Sequence, residues 1–254
     1  MTSMSSDTPE FRFFLAGEWR EGKPYTVACP YDGAPVGMVH RAGPAELEQA
    51  IQAAVKAFEA TRKLPGHKRA AALRKISETI AARAEDLART LALEAGKPIK
   101  QARVEIGRSV TTFATAAEEA TRFHDEMLHL DALPGGENRP AIVRRFPIGP
   151  IAAISPFNFP LNLVAHKLAP AIAAGCPVVL KPASQTPISA LKLAEIILDA
   201  GWPAEALSVL PLNSKDAAPL VEDERFKLLT FTGSPVVGWD MKRRAGRGDR
   251  KSVV

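Results

Sequence analysis

Residues 147–187 read PIGPIAAISPFNFPLNLVAHKLAPAIAAGCPVVLKPASQTP, and this stretch decides the fold. The apolar run Ile151–Ile154 enters a loop at residues 155–160, and a second apolar run, residues 177–180, ends at Lys181. Residues 161–174 connect the two runs and carry apolar residues at helical spacing. This pattern predicts two parallel strands with a crossover helix. Open α/β sheets bind nucleotides at the carboxyl ends of such strands, so this edge is the candidate site.

A third strand, Leu228–Phe231, opens into Thr232 and Gly233-Ser234-x-x-x-Gly238. Backbone amides at a helix N-terminus bind phosphate, and small residues allow its close approach. The G-x-G-x-x-G fingerprint and the P-loop pattern are both missing from the sequence. A capping serine beside a tightly packed glycine would give the same pattern, so the residues alone leave both interpretations open.

Lys181 and Asn158 each allow a functional and a structural interpretation. A lysine after an apolar strand can extend beyond the sheet and donate to ribose or phosphate, or it can simply be solvated. The Asn158 amide, flanked by Phe157, Phe159 and Pro160, is expected in a water-poor turn, where it would donate to a developing oxyanion. Alternatively, it binds its own turn backbone.

Helices are predicted upstream, and strands alternate with helices downstream. Residues 45–60, 69–84, 87–95 and 99–121 carry apolar residues at helical spacing, including Val104 and Gly107 on the inward face of the last helix. Residues 131–138 are a Pro- and Gly-rich loop, and residues 139–146 predict an exposed edge strand. Further strands are predicted at residues 207–210 and 251–254, with helices at residues 188–200, 216–222 and 236–245.

Composition excludes several classes of protein. The chain is 46% hydrophobic and 24% charged, as in ordinary globular proteins. Its apolar runs are too interrupted to span a bilayer, and the polar start lacks a signal-peptide pattern. We therefore expect a cytoplasmic protein without a membrane association. Six of the ten residues 242–251 are basic, but no aromatic residue is interleaved for stacking. A solvated helix end is therefore favoured over a nucleic-acid site.

The two cysteines predict neither a metal site nor a disulfide. Cys29 and Cys176 are far apart and lack metal-ligand spacing. Cys176, between Gly175 and Pro177, is expected to be a small buried hydrophobe. Neither is a candidate nucleophile.

Four ordered motifs resemble the aldehyde dehydrogenase superfamily. The resemblance covers essentially the whole chain and is most specific in residues 146–245. The motifs are Pro147-Ile148-Gly149-Pro150, Pro156-Phe157-Asn158-Phe159-Pro160, Leu180-Lys181-Pro182-Ala183-Ser184 and Phe231-Thr232-Gly233-Ser234.

This resemblance implies an α/β fold with a Rossmann-like parallel sheet and flanking helices, preceded by a helix-rich region and a β-arm. Three segments are expected. Residues 1–130 are the helix-rich part of the coenzyme domain, residues 131–147 the β-arm for oligomerisation, and residues 148–254 the coenzyme-binding core.

The resemblance also assigns residues to roles. Asn158 would be the oxyanion donor for an aldehyde substrate. NADP or NAD would be the coenzyme, and a homo-oligomer is expected. The remaining assignments are Ile154, Ser155, Pro156 and Phe157 to the coenzyme cleft, Lys181 and Ser184 to the adenosine ribose, and Gly233, Ser234 and Gly238 to the pyrophosphate side.

Ser184 favours NADP over NAD. Many NAD-preferring relatives have a glutamate at this position, which accepts hydrogen bonds from the ribose hydroxyls. A carboxylate there would repel a 2′-phosphate, whereas serine is neutral and small. With Lys181 nearby, we expect NADP to be accepted and preferred.

The family mechanism requires a cysteine nucleophile and a glutamate base, and both are expected beyond Val254. The chain is therefore expected to be a truncated N-terminal portion, inactive alone and poorly soluble or oligomeric. A non-catalytic module that pairs with a full-length relative through residues 139–146 is the alternative.

Overall fold

The computed structural model describes residues 8–248 and 251–253 of the chain. Predictions for residues 1–7, 249, 250 and 254 lie outside the described residues. The strands are β1 (Glu10–Phe11), β2 (Phe13–Leu15), β3 (Glu18–Arg20), β4 (Lys23–Ala28), β5 (Pro35–Arg41), β6 (Glu126–His129), β7 (Pro140–Val143), β8 (Ile151–Ile154), β9 (Val178–Lys181), β10 (Leu207–Val209), β11 (Leu228–Phe231) and β12 (Lys251–Val253).

The helices agree with the predicted segments to within a few residues at their ends. They are α1 (Pro44–Thr61), α2 (Gly66–Ala82), α3 (Ala84–Ala95), α4 (Ile99–Glu119), α5 (Asn162–Ala174), α6 (Ile188–Asp199), α7 (Ala218–Glu222) and α8 (Pro235–Ala245), with short 3₁₀ turns at Ala204–Ala206, Ser214–Ala217 and Gly246–Gly248.

The main sheet confirms the predicted α/β fold. Over the described residues its seven strands run β12-β11-β8-β9-β10-β2-β3. The first five are mutually parallel, and β2 and β3 add an antiparallel hairpin at one edge. Strand order reverses direction beside β8, because β9 lies on one side of it and β11 on the other. Such a switch point is where doubly wound sheets bind ligands.

Both faces of the parallel strands are buried, which explains their continuous apolar runs. Ile151 and Ala153 pack into one core cluster, and Ala152 and Ile154 pack into the other. Helices α2 to α6 and Ala57 of α1 contribute to the first cluster, whereas the other buried residues of α1, together with α7 and α8, contribute to the second. The sheet is therefore the middle layer of three.

Helix α5 ends where the chain must turn back into β9. Gly175 is its C-cap and has a φ of 76°, a left-handed conformation that glycine adopts without a side-chain penalty. This turn carries the chain into β9 beside β8, as the sequence predicts.

The N-terminal strands differ from the prediction. The sequence of residues 11–19 predicts a short strand that reaches a turn at Gly17-Glu18, whereas in the structure β2 and β3 form a hairpin that turns at Ala16 and Gly17. Strand β4 was not predicted; it pairs with β5 in a separate three-stranded sheet, ordered β1-β5-β4. Lys23 and Pro24 at the start of β4 break the apolar alternation that identifies strands.

A two-stranded ribbon of β6 and β7 lies between the helical region and the main sheet along the chain. Strand β7 lies within the predicted edge strand, and its antiparallel partner β6 was not predicted. Strand β6 begins before residue 131, inside the segment assigned to the helix-rich region. The ribbon exposes large apolar side chains, namely Met127, Leu128, Ile142 and Val143.

The buried stripe of α4 also differs from the expected one. Val104 is exposed and Gly107 is not among the buried residues, although both were predicted to face inward. The buried stripe instead runs through Ala102, Glu105, Ile106 and Ser109. The carboxylate of Glu105 thus occupies a core position on this helix, where it pairs with Lys97.

Candidate functional site

Three motif-bearing strands end side by side at the carboxyl edge of the sheet. Ile154 is in register with Lys181 on β9 and with Phe231 on β11. The Ser155 amide donates to the Lys181 carbonyl at 3.2 Å, and the Thr232 amide donates to the Ile154 carbonyl at 3.3 Å. The structure therefore brings together the starts of all three predicted loops.

The loop after β8 passes from buried to exposed residues within a few positions. Ile154 and Ser155 are buried, Pro156 is half-buried, and Phe157 is exposed. The Ser155 hydroxyl is buried without a hydrogen-bond partner. A buried polar atom without a partner is uncommon, and here it lies on the edge predicted to hold a coenzyme.

Asn158 does not lie in the water-poor turn that the sequence predicts. The residue is exposed, as are both neighbouring phenylalanines. Because Phe157 and Phe159 turn toward solvent, they do not enclose the amide. The Asn158 backbone carbonyl accepts a hydrogen bond from Lys97 Nζ at 2.8 Å, so the loop is fixed through its main chain and the side-chain amide is left available.

A buried ion pair holds this loop, and sequence reasoning missed it. Lys97 Nζ also donates to Glu105 Oε2 at 2.5 Å and lies 4.7 Å from the Phe159 ring centroid. Glu105 Oε1 accepts the backbone amides of Leu161 and Asn162, at 3.0 and 3.1 Å, where α5 begins. One carboxylate thus caps α5 and binds the lysine that fixes Asn158.

Lys181 is buried, although the sequence predicted that it extends beyond the sheet. It is the last residue of β9 and is only 8% exposed. Burial lowers its pKa, with a further contribution from the nearby Arg41 cation. Its Nζ has one long contact, 3.5 Å to the Pro182 carbonyl. The ammonium therefore has hydrogen-bonding capacity left over for a ligand.

Ser184 is half-buried, and its hydroxyl donates to the Leu212 carbonyl at 3.4 Å. Ser184 and Phe157 line a common cavity of about 510 Å³ at the carboxyl edge. The length of the Ser184 hydrogen bond makes it weak, so the hydroxyl can exchange the Leu212 carbonyl for a ligand oxygen at little cost.

The glycine loop after β11 lines a second cleft, of about 700 Å³. Gly233 packs against the Phe231 ring so closely that an added Cβ would lie 2.3 Å from a ring carbon. Ser234 is the N-cap of α8, but its side chain makes no capping hydrogen bond, which is contrary to the structural interpretation of this serine. Gly238 is buried in the first turns of α8, with its amide bonded to the Ser234 carbonyl at 3.0 Å.

Lys167 is a second buried lysine near this edge that sequence reasoning missed. Its Nζ donates to the Thr232 hydroxyl at 2.9 Å and approaches the Thr230 hydroxyl at 3.4 Å. Burial lowers its pKa to about 8. A lysine on the otherwise apolar helix α5 was the available signal, because charged residues are seldom fully buried without a partner.

Cys176 lies away from the candidate site, whereas Cys29 stands between Ala28 and Pro30, which line the cavity of Ser184. Both are free and buried. Cys176 precedes β9 and therefore lies at the opposite, amino edge of the sheet, where burial raises the pKa of its thiol. In the described part of the chain no group of three or more His, Cys, Asp or Glu residues could hold a metal ion. Among the same residues, no helix is long and apolar enough to cross a membrane.

The residues at this edge fit a dinucleotide coenzyme. Lys181 Nζ has a single long contact, and the Ser155 and Thr186 hydroxyls are buried without partners. Two clefts open beside them at the ends of adjacent parallel strands. The fold defines the class of protein, an α/β protein with a Rossmann-type parallel sheet.

Comparisons with known proteins identify the family within this class. The model of the aldehyde dehydrogenase family matches residues 19–254, so the chain belongs to that family. A 3-sulfolactaldehyde dehydrogenase of Priestia aryabhattai is 39% identical over 97% of this chain and 51% of its own length. The chain thus spans about half the length of the curated relatives it matches.

Solved structures confirm the fold. Aldehyde dehydrogenase 21 of Physcomitrella patens, in complex with its product succinate, superimposes with a TM-score of 0.93 and 46% identity, over 97% of this chain and 51% of that one. The NADP-dependent glyceraldehyde-3-phosphate dehydrogenase of Bacillus halodurans, complexed with NADP, gives a TM-score of 0.89 and 33% identity over 93% of this chain and 51% of that one.

Proposed function

We propose that this chain forms the coenzyme-binding part of an NAD(P)-dependent aldehyde dehydrogenase that oxidises an aldehyde to a carboxylic acid. The observation that carries the proposal is the alignment of Ile154, Lys181 and Phe231 on three adjacent parallel strands. Each strand delivers one family motif to the same edge. The coenzyme, when bound, supplies the hydride acceptor.

The residues of the three loops bind different parts of the coenzyme. Lys181 and Ser184 donate to the adenosine ribose, and the loop of Gly233, Ser234 and Gly238 takes the pyrophosphate side, where the N-terminus of α8 favours negative charge. Residues 154–157 are proposed to line the coenzyme cleft between them. The unpartnered Ser155 hydroxyl and the Lys181 ammonium, whose one contact is long, support this division.

Asn158 is proposed to donate its amide to the oxyanion that forms on the aldehyde carbon. Its carbonyl is fixed by Lys97 while its side chain remains exposed, so the loop geometry is set before substrate arrives. The buried Cys176 thiol and the doubly hydrogen-bonded Glu94 carboxyl are unsuited to act as nucleophile and base. We infer that this chain carries the coenzyme site and the oxyanion donor without catalysing the reaction alone.

The ribbon of β6 and β7 supports assembly into a homo-oligomer. Met127 and Ile142 are more than 60% exposed on it, and apolar surface of this kind is typical of protein contacts. The same ribbon would serve the alternative function, a non-catalytic module that pairs with a full-length relative. Purification with a full-length partner after co-expression would favour the module, whereas self-association alone would favour the homo-oligomer.

We further propose that NADP binds more tightly than NAD. Ser184 is uncharged and half-buried beside the edge, so the site has no carboxylate at this position to repel a 2′-phosphate.

A thermal melt with each coenzyme tests both proposals. A ligand that binds only the folded chain adds about 2.7 kcal/mol of stability at a hundred times its dissociation constant. We expect both coenzymes to raise the melting temperature and NADP to do so at a lower concentration. No shift with either coenzyme would contradict the proposed function.

The variant Ser184→Glu tests the NADP preference separately. The introduced carboxylate is expected to weaken NADP binding at least about tenfold through like-charge repulsion and to leave NAD binding unchanged or improved. An unaltered ratio of the NADP and NAD dissociation constants would show that Ser184 does not set the preference.

A further inference from the structure

Strand β1 is attached to the three-stranded sheet by few contacts. It has two residues, Glu10 and Phe11. They pair with Met38 and Val39 of β5. Next to this pair, the Met38 amide donates to the Pro9 carbonyl at 2.8 Å. Short strands near a chain terminus open locally at a low cost in free energy, so one further contact can decide how often β1 is docked.

The imidazole of His40 on β5 supplies such a contact. His40 is 5% exposed, and its Nε2 lies 2.5 Å from Glu10 Oε1. The Glu10 side chain is 49% exposed, so β1 brings a carboxylate from the surface to a buried ring. A carboxylate at this distance favours the protonated imidazole, which makes the contact sensitive to pH.

The other ring nitrogen of His40 is bound in either protonation state. Nδ1 lies 2.9 Å from the Gly22 carbonyl oxygen and 3.1 Å from the Gly22 amide nitrogen. A protonated ring donates from both nitrogens, and Nδ1 then binds the carbonyl. A neutral ring with its proton on Nε2 accepts the Gly22 amide instead. The loop before β4 is therefore held throughout the titration, and only the contact with β1 loses its charge.

The groups that shift the pKa of His40 belong to the elements on both sides of it. Burial acts to lower this pKa, but the Gly22 carbonyl and the Glu10 carboxylate act to raise it and prevail. Glu21, in the loop before β4, contributes in the same upward direction. The raised pKa places the titration of the ring above its ordinary value of 6.5.

The cations on the adjoining elements are engaged elsewhere or lie in solvent. Arg12, which follows β1, pairs with Glu21 at 2.6 Å. Arg41, the residue after His40, has its guanidinium over the Tyr25 ring at 4.3 Å. Lys23 at the start of β4 is exposed. The charge that responds to protonation of the ring is therefore the carboxylate on β1.

Docking of β1 completes the packing at the start of α6. The Phe11 ring and the Ile188 side chain both pack over Gly37 of β5, where an added Cβ would lie 2.7 Å from a ring carbon and 3.1 Å from Ile188 Cδ1. Ile188 is the first residue of α6, and the loop before it carries Ser184. Opening of β1 withdraws the Phe11 ring from this packing.

We propose that His40 and Glu10 form a pH-sensitive contact that holds β1 on β5. Protonation of the ring gives a charge-assisted hydrogen bond, and deprotonation leaves a neutral one, which is roughly half as strong. The extra hold is present in full below pH 6.5 and is lost as the pH rises through the raised pKa of His40. This contact is independent of the proposed coenzyme site.

Hydrogen exchange of the Met38 amide measures the docking of β1, because the acceptor of this amide is the Pro9 carbonyl. The rates are measured by NMR at pH 5.5, 6.5, 7.5 and 8.5 and divided by the intrinsic rates. In the intact chain we expect the opening equilibrium to rise about fivefold over this range. In Glu10→Gln, which keeps an acceptor and removes the charge, it should change less than about twofold.

Glu18→Gln is the matched control. Glu18 is also an exposed carboxylate of the N-terminal strands, but it pairs with Arg20. This variant should show the same pH dependence as the intact chain. The amides of β4, which pairs with the other side of β5, should show no such change in any of the three proteins, because Gly22 is bound in both states of the ring.

An NMR titration of the His40 ring completes the test. Its midpoint should lie above 6.5 in the intact chain and fall in Glu10→Gln. A midpoint that Glu10→Gln leaves unchanged would overturn the proposal, as would an equal pH dependence of Met38 exchange in the intact chain and this variant. Since the Glu10 side chain is half-exposed, the variant is expected to fold, and a thermal melt verifies this.

Discussion

Two loops leave the neighbouring strands β8 and β9, and each leads into a helix whose first amides bind a buried glutamate from the N-terminal helices. Glu105 on α4 caps α5 after the Asn158 loop, and Glu94 on α3 caps α6 after the Ser184 loop. Only Glu105 has a cation partner, Lys97, at 2.5 Å. Burial without such a partner raises the pKa of Glu94 to about 7.

The difference shows what a counter-charge adds to a helix cap. Two backbone amides bind each carboxylate, yet they do not keep Glu94 fully ionised in its buried position. Lys97 also extends the contact to the Asn158 carbonyl. The Asn158 loop is therefore held by charge, whereas the hold on the Ser184 loop depends on pH.

The largest effect is expected from Glu105→Ala. The variant leaves Lys97, whose side chain is 11% exposed, without its partner and frees two amides of α5. Breaking a buried ion pair costs about 3–5 kcal/mol, measured here as the free energy of unfolding in urea. Glu85→Ala is the control, because its pair with Arg103 is solvent-exposed and worth about 1 kcal/mol or less. Equal losses in the two variants would show that burial adds nothing.

The second effect is the pH dependence that Glu94 contributes. Its pKa is higher in the folded state, about 7 against an ordinary value of 4.5, so the folded chain holds the proton more strongly. Its contribution to stability is present in full below pH 4.5 and is lost as the pH rises through 7. The total is on the order of 3 kcal/mol.

Urea midpoints at pH 5, 6, 7 and 8 for the intact chain and Glu94→Gln measure this contribution. The difference between the two curves isolates Glu94 from other groups such as His40, whose pKa is also raised. Desolvation of His40 acts downward, but its hydrogen bonds to Gly22 and Glu10 act upward and prevail. Parallel curves for the two proteins would rule out a titrating Glu94.

The third prediction tests whether the cation partner accounts for the difference between the Glu105 cap and the Glu94 cap. Lys97→Met removes the cation from Glu105 and should make that cap resemble the one at Glu94. We expect a loss of about 2 kcal/mol at pH 8 and a smaller loss at pH 5, because an unpaired buried carboxyl can take up a proton. The same urea titration measures it, with Lys100→Met on the first turn of α4 as the exposed control. A loss independent of pH would contradict the role assigned to Lys97.

The smallest effect is expected from Ser184→Ala. Its hydrogen bond to the Leu212 carbonyl is 3.4 Å long, so its removal should cost about 0.5 kcal/mol or less. A thermal melt without coenzyme measures this. A loss above 1 kcal/mol would mean that Ser184 is chiefly structural and is not free to bind a ligand.

Local patterns were enough to predict the parallel core and the edge. Ile151–Ile154 and Leu228–Phe231 are short apolar runs with loop residues after them, and each helix between strands shows helical spacing. These features can be predicted because they depend only on residues that are close together in the sequence. For the same reason the motif loops of Ser155 and Thr232 were expected at one edge.

The polar contacts between distant segments could not be predicted. Lys97 and Asn158 are separated by 61 residues, and nothing in the local sequence of either one points to the other. The burial of Lys181 and the exposure of Asn158 likewise depend on what packs over the edge. Glu105 did give a signal, because it interrupts the buried stripe of α4 between Ala102 and Ile106, where a carboxylate requires a partner.

The hairpin of β2 and β3 imposes an order on biosynthesis. Ala16 donates its amide to the Leu207 carbonyl and to the Ser208 hydroxyl, both at 3.2 Å and the latter across 192 residues. At about 5–20 residues per second on the ribosome, roughly 10–40 s pass between the emergence of the two partners. During that interval Phe13 and Phe14, both buried in the finished sheet, can pair only with β3 and lack their other partner strand, β10. The first strands of the main sheet to be translated are therefore among the last to be placed, and nascent chains shorter than about 210 residues are the ones that most need a chaperone.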